Sequence, residues 1–224
     1  MKYLILAPLG LLIQIVFIAA EHMKKYLPAV ILKGTASIVF ILFGILSSAS
    51  CAREGFAGWI IAGLILGGIG DVCLNLRFVL KDSQKIFLIG VASFLLGHIM
   101  YLAALIPHAG GTLIPALIIG VILAFLLLRW IFSRIRQVQK VMKIFGYVYI
   151  GAVVLMTCVA AGVYALDPSS SGSLVFMLGA ILFTASDIIL IFNMFGDKKP
   201  WMRPTNLTLY YLGQLMIAAS LQLF

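Results

Sequence analysis

The sequence predicts an all-α integral membrane protein, a single membrane domain over 1–224 with eight transmembrane helices built as two parallel four-helix repeats. Three observations predict it. The chain is 63% hydrophobic and only 10% charged, with a mean hydropathy of +1.18, too little polar surface to cover a soluble core. Apolar runs long enough to cross roughly 30 Å of hydrocarbon at about 1.5 Å per helical residue recur along its whole length. Finally, a short motif around an intramembrane aspartate occurs twice.

The eight runs are bounded by charged or turn-forming residues. The first, 3–20, follows Lys2 and stops at Glu21; Phe17-Ile18-Ala19-Ala20 offers no A-x-A cleavage pattern, so it reads as a helix and not a signal peptide. The second, 27–47, follows Lys24 and Lys25, and the third, 56–76, lies between Gly55 and Arg77. The fourth, 86–106, runs from Lys85 to Pro107, and the fifth, 113–132, from Gly111-Thr112 to Ser133-Arg134. The sixth, 145–166, ends at Asp167-Pro168, the seventh, 174–195, at Gly196, and the eighth, 207–223, follows Arg203-Pro204.

The net charge of +9 is distributed unevenly. With eight spans, one side collects Lys24, Lys25, Lys33, Arg77, Lys81, Lys85, Arg129, Arg134, Arg136, Lys140, Lys143, Lys198, Lys199 and Arg203, whereas the other has Lys2 and Arg53. Basic residues favour the cytoplasmic face, so both termini are expected outside the cytoplasm. At a membrane surface the basic stretch from Arg129 to Lys143 meets anionic lipid head groups, and no nucleic-acid partner is expected. A compact chain without extensions points to a bacterial inner membrane, although the orientation rule serves an endoplasmic reticulum membrane equally.

Gly70-Asp71-Val72-Cys73-Leu74 aligns with Ser186-Asp187-Ile188-Ile189-Leu190 at an offset of 116 (71 to 187), and the next helix keeps it: Phe94, Gly97 and His98 align with Tyr210, Gly213 and Gln214. Halves of about 1–108 and 109–224 follow. Four helices is an even number, so the halves insert in the same orientation about a pseudo-two-fold axis along the membrane normal. Asp71 and Asp187 then share one depth, roughly 9 to 14 Å below the cytoplasmic boundary by helix rise.

A carboxylate in hydrocarbon costs several kcal/mol unless it is paired, protonated or facing water, so these two aspartates are the candidate site. The competing structural role is a polar plug that ties helices together. Asn75 shares a helix face with Asp71 at i, i+4, and Tyr101 shares one with His98 at i, i+3. His98 alone suits packing; beside two aspartates it suits a hydrogen bond that tunes a carboxyl. Lys33 either snorkels its ammonium to the interface, the commoner fate, or pairs with an aspartate or a phosphate. Tyr101, Tyr149, Tyr210 and Tyr211 are each compatible with interhelical packing. His22 and His108 lie at segment ends on opposite sides, which leaves no three-histidine metal site, and Cys51, Cys73 and Cys158 form no even framework. Neither metal nor cofactor is expected, and no G-x-S-x-G nucleophile elbow is present.

The motifs Gly70-Asp71-x-x-Leu74, Phe94-x-x-Gly97-His98-x-x-Tyr101, Phe183-x-x-Ser186-Asp187-x-x-Leu190 and Tyr210-Tyr211-Leu212-Gly213-Gln214, in that order, resemble the YhhN-like lysoplasmalogenase family of eight-helix membrane proteins. Lys33 and Tyr149 also sit where that family carries such residues, while Gly34 replaces a proline common after the lysine. The resemblance implies hydrolysis of the vinyl ether of lysoplasmalogens to a fatty aldehyde and glycerophosphoethanolamine or glycerophosphocholine. It implies Asp71 and Asp187 as catalytic groups, supported by Lys33, Asn75, His98, Tyr101, Tyr149, Ser186, Tyr210 and Gln214.

That chemistry requires a proton for the β-carbon of the vinyl ether and a negative charge beside the oxocarbenium ion that results. Two carboxyls close together in low dielectric supply both when one keeps its proton and the other ionises. Which aspartate takes which part is open. Arg77, Lys85 and Arg203 are head-group phosphate candidates at the expected depth, with the lysophospholipid substrate and bulk membrane lipids as partners. Without the resemblance, the same residues suit a small-molecule or ion transporter, since intramembrane carboxylates in parallel repeats also serve alternating access. A non-catalytic lipid-binding protein is the third alternative.

Overall fold

The structure, a computed structural model, describes residues 5–53, 55–80, 83–135 and 140–224, with only the backbone path at 83 and 140–142. In the topology argument Lys2, Lys81, Arg136 and the Lys140 side chain therefore lie outside the described residues. Eight α-helices follow in order: α1 Leu6–His22, α2 Tyr26–Ser48, α3 Phe56–Leu76, α4 Ser83–Leu105, α5 Leu113–Arg134, α6 Lys140–Leu166, α7 Ser171–Phe195 and α8 Met202–Ser220. Two 3₁₀ turns, Ile106–His108 and Gly110–Thr112, join α4 to α5.

Six of the helices, α2 to α7, are long and apolar enough to cross a membrane, which makes this a multi-pass membrane protein. The described part of α1 has 17 residues, and α8 is diluted by Arg203, Asn206 and Gln214. Several helices run past their apolar stretches. Helix α6 begins five residues before Phe145, and α8 begins at Met202, with Pro204 tolerated in its first turn where the missing N–H has no helical partner. Hydropathy marks where lipid begins; backbone hydrogen bonding carries a helix further. Ser170 caps α7 by accepting from the Ser173 N–H at 3.2 Å.

Each helix packs on its chain neighbours within α1–α4 and within α5–α8. The two groups join where α4 meets α6 and where α8 meets α1, α2 and α3. Helix α5 presents Ile114, Ile118, Ile122 and Phe125 outward, a face suited to acyl chains. Association in lipid depends on close backbone approach. At α3–α4 a Cβ on Gly97 would lie 3.1 Å from the Gly63 carbonyl oxygen, and at α7–α8 one on Gly213 would lie 2.8 Å from the Gly179 oxygen. The shared core is aromatic: Phe40, Phe43, Phe56, Phe176, Phe183 and Tyr211 are all buried. At the end opposite the basic turns, the Arg53 guanidinium lies 3.9 Å from the ring centre of Phe224.

Candidate functional site

Helix α3 carries Asp71 and α7 carries Asp187, both buried. Asp71 is densely partnered. Its Oδ1 lies 3.3 Å from the Lys33 ammonium, and its Oδ2 accepts from Ser37 Oγ at 2.6 Å and Tyr210 OH at 2.8 Å. Lys33 does not snorkel. Its side chain is 1% exposed, its Nζ donates to Gln14 Oε1 at 3.5 Å, and the ammonium sits 4.5 Å from the centre of the Tyr210 ring. Gln14 is held in turn by the Leu207 carbonyl of α8, at 3.3 Å. From Asp71 the network continues through Tyr210 to Gln214 Nε2 at 3.4 Å, and Gln214 Oε1 accepts from Tyr101 OH at 2.7 Å.

Asp187 has a single hydrogen-bond donor among the described residues, Tyr149 OH at 2.9 Å. No hydrogen bond joins the two carboxyls; Asp71 has both oxygens occupied by Lys33, Ser37 and Tyr210. They meet instead through space, as walls of one polar chamber of about 40 Å³ that Lys33, Asn75, Tyr149, Arg203, Asn206 and Tyr210 also line. A second pocket of about 60 Å³ begins at Asp187 and is otherwise apolar apart from Tyr149, lined by Phe87, Val91, Phe94, Phe145, Ile191 and Met194 among others. Asp187, Tyr149, Phe94, Leu74 and Leu190 border both spaces. Asp187 therefore marks the seam between a polar and an apolar compartment.

The remaining sequence candidates fall into three positions. Asn75 lines the chamber, but its amide donates to the Asp71 backbone carbonyl at 3.0 Å and not to a carboxyl. Ser186 and Asn206 clamp α7 to α8: Asn206 Nδ2 donates to the Ser186 carbonyl at 2.9 Å, and Ser186 Oγ donates to the Asn206 carbonyl at 3.0 Å. His98 touches neither carboxyl, contrary to the expectation that it tunes one. Its Nδ1 lies 2.7 Å from the Phe94 carbonyl, its ring packs against Phe183 and Tyr149, and Nε2 has no partner among the described residues.

Of the phosphate candidates, Arg203 lines the chamber and forms a two-pronged bond to Glu21, at 2.7 and 3.2 Å. The Arg77 guanidinium stacks between Phe78 and Phe87, and its buried Nε has no partner among the described residues. Lys85 is exposed on the first turn of α4 and borders none of these spaces. Sequence reasoning missed Gln14, Ser37, Asn206 and Glu21. Ser37 follows Lys33 at i, i+4 and shares its helix face, which was the available signal; Gln14 and Glu21 carried none.

The chain matches the YhhN family over residues 8–221. It is 32% identical over 175 residues to a Sus scrofa protein named lysoplasmalogenase TMEM86B, an alignment covering 75% of this chain and 66% of that relative. The Mus musculus protein of the same name is 28% identical over 173 residues, with the same 75% and 66% coverage. The matched region is thus just under two thirds of the length of these relatives. No solved structure matches the chain. The family match reaches from α1 into the end of α8 and takes in every member of the buried network from Gln14 to Gln214; the chain belongs to the YhhN family.

Proposed function

We propose that this protein hydrolyses the vinyl ether bond of lysoplasmalogens, as the name of its relatives states for them. The observation that carries the reading is the position of Asp187 between polar and apolar compartments. A lysoplasmalogen changes from polar to apolar at its vinyl ether. With glycerol in the chamber and the alkenyl chain in the apolar pocket, the scissile bond lies at Asp187.

The surroundings of the two carboxyls divide the labour. Asp71, paired with the Lys33 ammonium and accepting two hydroxyl hydrogen bonds, is the ionised member. Asp187, with one phenol and an apolar pocket beside it, keeps its proton. Asp187 protonates the β-carbon of the vinyl ether, the oxocarbenium ion is stabilised by negative charge, and water adds to its carbon while Asp71 takes the proton. The hemiacetal then collapses: its hydroxyl proton returns to Asp187, the Asp71 proton goes to the departing glycerol oxygen, and aldehyde is released. Both carboxyls regain their starting states, so one water is consumed per turnover.

The duplicated four-helix unit belongs to the same reading. Lys33 and Tyr149 stand 116 residues apart (33 to 149) and bond Asp71 and Asp187 respectively; the Gly63–Gly97 approach is matched by Gly179–Gly213 at that spacing. All eight helices crossing, with the basic turns after α1, α3, α5 and α7 in the cytoplasm, completes it. Purified protein in detergent should release aldehyde from a lysoplasmalogen, and Asp187→Asn and Asp71→Asn should abolish release. Intact aldehyde release in the double variant, or none in the parent protein, overturns the proposal.

A further inference from the structure

Outside the chamber, where α1 ends and α8 begins, an open groove of about 680 Å³ is bordered by Glu21, Lys24, Tyr26, Phe78 and Arg203. Arg203 borders the polar chamber as well, so groove and chamber share this residue as a wall. Two features distinguish the groove from an ordinary interfacial depression. Its cation and anion are already in register: Arg203 and Glu21 form a two-pronged pair, with side chains 25% and 13% exposed. Beside them Tyr26 and Phe78 stack with ring centres 5.5 Å apart. The turn that places Lys24 on the rim is built at a conformational cost, because Lys24 has φ +59°, a left-handed position usually taken by glycine; the Lys25 N–H closes the α1 end on the Ala20 carbonyl at 3.0 Å.

We propose that this groove is a reader of zwitterionic phospho-ammonium head groups, in which the phosphate takes Arg203 and Lys24 while the ammonium takes Glu21 and the face of Tyr26 turned away from Phe78. The inference rests on the lysolipid reading above and assigns Glu21 to substrate selection. The physical argument is exchange. A bound zwitterion replaces one internal ion pair by two of the same polarity, so neither Glu21 nor Arg203 is left as an uncompensated charge. A carboxylate next to an aromatic face, here Glu21 and Tyr26, is the combination that suits an ammonium or quaternary ammonium. A purely anionic head group satisfies Arg203 but strands Glu21 beside a negative charge, so the same pair rejects it. Arg203, on the wall shared with the chamber, puts the phosphate next to the glycerol, and the chain then leads inward to Asp187.

The test separates binding from turnover. Titrate the detergent-purified protein with non-hydrolysable alkyl lysophosphocholine and alkyl lysophosphoglycerol of equal chain length. The parent protein should bind the phosphocholine about tenfold more tightly, Glu21→Gln should remove that preference by weakening phosphocholine alone, and Glu21→Asp should restore most of it. Arg203→Gln should weaken both ligands. Free glycerophosphocholine should displace the lysolipid only far above the lysolipid's own Kd; displacement at equal concentration overturns the assignment to a lipid head group. Equal loss for both ligands in Glu21→Gln, or no preference in the parent protein, overturns the inference. Aldehyde release on the corresponding lysoplasmalogens reports on the catalytic reading independently: selective binding without release sinks that reading and leaves the groove.

Discussion

Asp71 and Asp187 stand 116 residues apart (71 to 187) in the two motifs of the proposed repeat, yet their neighbourhoods are opposites. Each donor to Asp71 has a weaker counterpart 116 residues away (33 to 149, 37 to 153, 94 to 210): Lys33 corresponds to Tyr149, Ser37 to Val153 and Tyr210 to Phe94. The compartments diverge in the same manner. Arg203 and Asn75 line the polar chamber, and Phe87 and Ile191, at the same spacing (87 to 203, 75 to 191), line the apolar pocket. A cradle lined by charged and polar side chains and an almost wholly apolar one thus lie side by side, as the proposed cleavage at a polar–apolar junction requires. In the proposed mechanism, charge compensation holds Asp71 ionised and leaves Asp187 free to carry a proton.

The largest expected effect breaks that contrast chemically. Asp187→Asn removes the proton donor, and aldehyde release should fall by about 10³-fold while the unfolding midpoint in detergent barely moves. A fall below about tenfold would move the acid elsewhere. The second breaks it electrostatically: Lys33→Met leaves the Asp71 carboxylate buried without a counter-charge and should cost about 3–5 kcal/mol of stability, visible as a lowered midpoint. Adding Asp71→Asn to Lys33→Met should recover most of that stability and none of the activity; failure to recover would mean the pair is not coupled. The third addresses packing common to both halves. Gly213→Ala places a Cβ 2.8 Å from the Gly179 oxygen and should cost about 2 kcal/mol, with unfolding again as the readout. The smallest is Tyr149→Phe, which deletes one hydrogen bond to Asp187 and should change stability by about 1 kcal/mol or less. A loss as large as that of Lys33→Met would show that the phenol and the ammonium are equivalent partners, and the contrast between the halves would disappear.

Several parts of this arrangement were legible before any coordinates. The two aspartates stood out because a carboxylate has so few stable solutions inside hydrocarbon, and the spacing that relates them lies in the chain itself. Lys33 was ambiguous: in the second turn of its helix, its flexible stem reaches either the interface or a buried acid, and only the placement of α3 beside α2 selects the acid. His98 misled, since the shared depth that put it beside the aspartates became a neighbourhood of aromatic rings once α4 was oriented against α6 and α7. Gln14 and Glu21 were invisible because their partners, Lys33 and Arg203, lie on other helices, one of them at the far end of the chain.

The sequence by itself determined that the chain lives in a bilayer, how many helices it forms and which two acids are anomalous, because hydropathy, helix rise and the cost of buried charge act locally along the chain. Only the tertiary structure decided which acid is paired and which stands at the edge of an apolar pocket. That distinction depends on donors contributed by other helices, and no spacing along a single strand of sequence sets how α2, α6 and α8 turn toward α3 and α7.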